Sequence, residues 1–77
     1  MEKYIATFYS HFGALTYCKA LTKQGINAKL MPVPRKISSS CGTCVSYGHD
    51  SAVEMEDGEL EAIYIEKNND MECLLRK

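Results

Sequence analysis

At 77 residues and a formal net charge of −1, the chain has room for one domain and carries no general polyanion-binding character. A hydrophobic content of 45%, a charged content of 25%, five tyrosines and two phenylalanines fit a soluble folded domain and exclude the disordered and collagen-like classes. Apolar runs fall far short of the roughly 18 residues of a membrane span, and Lys3 introduces no signal-peptide core. A cytoplasmic protein with neither membrane nor nucleic acid as a partner is therefore expected. Lys29, Arg35 and Lys36 precede the central cysteine pair, whereas Glu54, Glu56, Asp57, Glu59 and Glu61 follow it; two solvated surfaces explain this better than a docking patch.

In chain order, Lys3 to Tyr9 alternates aromatic and β-branched residues on both faces, which predicts a central strand. Ser10 can cap a helix from His11 to about Gln24, and Gly25 supplies the left-handed residue that ends it. Gly13 weakens the first turn but permits a close approach to the sheet. Ile26 to Met31 reads as a second strand, and a strand-helix-strand order implies a crossover to a strand running the same way. Pro32 and Pro34 end it, since neither can donate to a ladder. Residues 35–43 read as a loop and Cys44 to Tyr47 as a short strand. Ser51 and Glu54 form a capping-box pattern before Gly58 that allows one or two helical turns. Leu60 to Lys67 is a strand, joined through Asn68, Asn69 and Asp70 as a hairpin turn to Met71 to Arg76.

These elements add up to a single α+β domain in which one main helix packs on a four- or five-stranded mixed sheet. It is a relative of ferredoxin-like folds with the second helix short or absent. Such folds serve many functions, so function rests on the site.

The distinctive stretch is "PVPRKISSSCGTCVSYG", residues 32–48, with its Cys-x-x-Cys pair at Cys41 and Cys44. Without an export signal the four cysteines are expected to be reduced. Cys18 falls at helical spacing with Ala14 and Leu21, and Cys73 alternates with Met71 and Leu75; both read as small buried hydrophobes. As a zinc site the pair lacks its other half, because zinc takes four ligands and only His49, Cys73 or His11 remain to complete the set. No metal or cofactor is expected. A thiol-disulfide redox module asks less of the chain, although no aromatic residue stands just ahead of Cys41 and no later proline offers the cis bond of thioredoxin-like folds.

In a third reading Cys41 is a nucleophile on an exposed loop. Serine hydroxyls lie beside it, Gly42 lets backbone N–H groups turn inward, and Arg35 and Lys36 add positive potential. Equally, Ser38-Ser39-Ser40 can be a linker and Gly42-Thr43 a turn, and the residues alone leave both readings open.

"FYSHFGAL" and "AKLMPVPRKISSSCGTCV", together with the helix between them, resemble the small bacterial proteins grouped as selenium/sulfur carrier-like, most strongly over residues 3–48. The resemblance implies a carrier, and not a stand-alone enzyme, whose Cys41 holds sulfur or selenium as a persulfide or perselenide. It further implies a cysteine desulfurase-like donor and an acceptor in selenophosphate synthesis or thiolation. Cys41 maps to the recurring Cys-Gly unit and Cys44 to an optional partner. Established sulfur carriers also use a Cys-Pro-x-Pro motif, but here Met31 precedes the Pro-x-Pro, so Pro32 and Pro34 are assigned to loop support. The expected site is Cys41 as acceptor and Cys44 as resolving thiol, with Ser39, Ser40 and Gly42 as loop support and Arg35 and Lys36 as the basic flank.

Overall fold

A computed structural model describes residues 2–37, 41–50 and 59–76. Its elements are β1 (Glu2–Phe8), α1 (His11–Lys23), β2 (Ala28–Pro32), β3 (Thr43–His49), β4 (Leu60–Lys67) and β5 (Asp70–Arg76). Among the described residues, no helix is long and apolar enough to cross a membrane.

The strands form one sheet in the order β2-β3-β1-β4-β5, with every neighbouring pair antiparallel. Because β1 and β2 are both antiparallel to β3, they run the same way, as the strand-helix-strand order requires. The expected mixed sheet nevertheless contains no parallel ladder, since β3 inserts between them. This is the split β-α-β arrangement anticipated for a ferredoxin-like relative, extended by a fifth strand. Residues 51–58, where the short second helix and the Ser51–Glu54 capping box were expected, lie outside the described residues.

Local chemistry places the boundaries. Ser10 is extended at φ −142° and ψ 160°, and its hydroxyl accepts the Gly13 N–H at 3.2 Å, which satisfies one orphan donor of α1. Past the last turn Gly25 takes φ 82°, and the Ile26 N–H returns to the Leu21 carbonyl at 3.0 Å. Asn68 and Asn69, at φ 51° and 65°, make the two-residue left-handed turn whose twist suits a β4–β5 hairpin.

Opposed residues on paired strands share a face, so the register sorts the side chains. On one face Tyr4, Ala6, Phe8, Val45, Tyr47, Ile63 and Ile65 meet Ala14, Tyr17 and Leu21 of α1 in one buried cluster. Its aromatic centre has ring centroids 5.4 Å apart for Tyr4–Tyr47, 5.0 Å for Phe8–Tyr17 and 5.8 Å for Tyr17–Tyr47. Cys18 packs half-buried against this cluster, as its spacing predicts. Cys73 does not behave as its alternation predicts, for it is exposed. It lies on the outer strand β5, and a bulge between Ile63 and Tyr64 sets Cys73 opposite Tyr64 and away from α1, while Leu75 opposes Ile63 and packs on the core.

Candidate functional site: the loop between β2 and β3

Cys41 lies in the connection from β2 to β3, and Cys44 lies just past it in β3. The base of this connection is closed by the Val33 N–H on the Gly42 carbonyl at 3.1 Å, and a tight turn forms where the Ile37 N–H meets the Pro34 carbonyl at 3.2 Å. Pro34 supplies the accepting carbonyl of that turn, whose central residues are Arg35 and Lys36, and Pro32 is the last residue of β2. At the other margin, His11 Nδ1 lies 3.3 Å from Thr43 Oγ1, which ties the N-terminus of α1 to the start of β3.

Cys41 stands half-buried in a bend just ahead of β3. Next to it, Gly42 is exposed, its φ lies outside the left-handed region, and a Cβ there would meet nothing within 4 Å. There is thus open space at Gly42, whereas a left-handed nest there is not what the backbone forms. Arg35 is exposed on the turn, and Lys36 donates its ammonium to the Asn69 carbonyl. Ser39 and Ser40 lie outside the described residues.

Cys44 is in a different setting. It is the second residue of β3, opposite Thr7 and Met31, on the sheet face turned away from α1. It is 0% exposed, its Sγ points at the Pro32 carbonyl at 3.7 Å, and burial pushes its thiol up to about 11. The pair that looks symmetric in sequence is therefore one half-buried cysteine on a loop and one fully buried cysteine in a strand. All four cysteines are thiols.

The residues named for a zinc site are not gathered. His49 sits at the opposite end of β3, paired with Glu2, Cys73 lies on β5, and among the described residues no three His, Cys, Asp or Glu side chains are grouped to hold a metal ion. Two shallow concavities of about 370 and 510 Å³, one walled by Lys3, Lys29 and Ser46 and the other by Lys67 and Met71, also lie at the Glu2 end of the sheet, away from Cys41. Sequence reasoning placed the cysteine loop correctly but missed the burial of Cys44, the His11–Thr43 contact and the Lys36–Asn69 bond. The β-branched Thr43 and Val45 on either side of Cys44 carry the signal for a strand, but periodicity alone does not tell which sheet face will be covered.

The family described as "Putative Se/S carrier protein-like" matches residues 3–68, spanning β1 through the β4–β5 turn and including the whole cysteine loop. The chain belongs to this family. No curated protein and no solved structure gives a significant match. Within this Se/S carrier-like member, the matched span reaches beyond residue 48, where the resemblance of the quoted motifs was strongest, to cover β4 as well.

Proposed function

We propose that this protein carries sulfur or selenium as a persulfide or perselenide on Cys41, between a cysteine desulfurase-like donor and an acceptor in selenophosphate synthesis or thiolation. The observation that carries this reading is the unequal presentation of the two sulfurs inside a Se/S carrier-like fold. Cys41 is half-buried on a loop tied at its base, next to the exposed Gly42, while Cys44 is sealed in β3. A carrier needs one presentable sulfur and no substrate cavity.

In loading, the Cys41 thiolate attacks the outer sulfur of the donor's persulfide. The donor S–S bond breaks, a new one forms on Cys41, and the donor cysteine leaves as a thiolate that takes up the proton. Delivery repeats the exchange with the acceptor's nucleophile. Arg35 lends positive charge near the anionic sulfur, and Ser39 and Ser40 support the loop. In a resolving step, Cys44 as thiolate attacks the inner sulfur of the Cys41 persulfide, forming the Cys41–Cys44 disulfide and expelling sulfide; the two thiols are oxidised as the outer sulfur is reduced. A stand-alone dithiol redox module is the weaker reading, because it would need the buried Cys44 in every turnover, whereas loading and delivery by a carrier need Cys41 alone.

Incubation with a cysteine desulfurase and cysteine, followed by intact mass, tests the carrier. One added sulfur is expected in the wild type and in Cys44→Ser, and none in Cys41→Ser. Equal loading of the two variants would sink the assignment.

A further inference from the structure

A five-stranded sheet with α1 on one face leaves its other face to be covered by something else. The centre of that face is covered, although Lys3, Lys29 and Cys73 at its margins are exposed: Ile5 is 1% exposed, Tyr64 6%, and Thr7, Cys44 and Ala62 no more than 1%. The loop after β2 has the character of a cover. Val33, Pro34 and Ile37 are half-buried while Arg35 and Lys36 are exposed, so an apolar underside carries a charged top. Its direction follows from a single bond. β2 and β5 are the two outer strands, yet Lys36, just beyond β2, reaches the Asn69 carbonyl in the turn that opens β5.

We infer that residues 33–37 form a strap across this face, latched by Lys36 on Asn69, and that the strap keeps Cys44 out of reach until it lifts. The inference rests on the carrier reading for its purpose: a resolving thiol that was always available would discharge every persulfide formed on Cys41. With the strap closed Cys41 can hold its cargo. With the strap raised Cys44 can attack the inner sulfur, closing the disulfide and releasing sulfide. The basic flank expected to serve the sulfur anion is thereby divided, with Arg35 left on the surface and Lys36 holding the latch. The left-handed Asn68-Asn69 turn presents the carbonyl that the latch uses.

Native-state alkylation with iodoacetamide, read cysteine by cysteine by peptide mass spectrometry, tests the strap without any sulfur donor. In the wild type Cys44 should react at least about tenfold more slowly than Cys41. Lys36→Met keeps the packing stem and removes the donor, and one net hydrogen bond corresponds to a rise of roughly three- to tenfold in Cys44 labelling. Cys41 and Cys18 should stay within about twofold of wild type in that variant. An unchanged Cys44 rate in Lys36→Met, or a wild-type Cys44 that reacts as fast as Cys41, would overturn the strap. An equal rise at Cys18, which packs on the opposite face, would also overturn it by showing general loosening. Because labelling and sulfur loading are separate readouts, the strap can fail while Cys41 still loads, and the carrier can fail while the strap holds.

Discussion

Cys44 shows how one residue's environment outweighs its motif. The Cys-x-x-Cys spacing suggests two comparable thiols, but β3 turns Cys44 under the sheet, where removal from water disfavours the thiolate. The consequence for stability has a definite sign. With the folded pKa at about 11, above the ordinary 9.0, the stability tied to the neutral thiol is intact below pH 9 and is lost as pH rises through 11. Urea midpoints should therefore fall more steeply in wild type than in Cys44→Val above pH 9, by up to on the order of 2 kcal/mol. Parallel curves for the two proteins would mean that Cys44 ionises as readily in the folded chain as in the unfolded one.

At the scale of elements, the start of α1 is assembled from two distant parts of the chain. The first turn contains no acidic residue, and Gly13 stands where a capping-box glutamate would. Glu59 takes that place from just ahead of β4: it accepts the Ser10 hydroxyl proton at the positive end of the helix, and its own carbonyl accepts the Tyr9 N–H at 2.9 Å. The close approach that Gly13 permits is to this residue, since a Cβ on Gly13 would lie 2.5 Å from the Glu59 Cβ. Gly13→Ala gains about 1 kcal/mol of helix propensity but forces a backbone-proximal clash, and the clash should win by about 1–2 kcal/mol. Chemical denaturation of the variant measures the difference; a more stable Gly13→Ala protein would show that Glu59 yields freely.

The whole molecule covers the two faces of its sheet by different means. α1 covers one over an aromatic centre, and the inferred strap, with its half-buried Val33, Pro34 and Ile37, serves the other. A chain of this size has little stability in reserve, of the order of 0.05–0.15 kcal/mol per residue. The Tyr17 ring of α1 meets both Phe8 of β1 and Tyr47 of β3, so Tyr17→Ala should cost about 3–5 kcal/mol and leave a large share of molecules unfolded at room temperature. Loss of near-ultraviolet circular dichroism would report it, and a variant that kept the wild-type urea midpoint would remove the aromatic cluster from the centre of the core.

What the sequence by itself determined was local. Ser10 and Gly25 mark the ends of α1, Asn68 and Asn69 make the hairpin, and the prolines with the Cys-x-x-Cys pair mark out a loop matched within a Se/S carrier-like family. Each of these rests on a cap, a φ preference or a spacing that acts over a few residues. The tertiary structure alone decided that β3 enters between β1 and β2, because that ladder joins residues about forty apart through hydrogen bonds any strand can make. From that insertion follow the burial of Cys44, and from the β5 bulge the exposure of Cys73. Only the folded sheet brings Lys36 to Asn69, because side-chain polarity carries no record of which distant carbonyl a flexible lysine will meet.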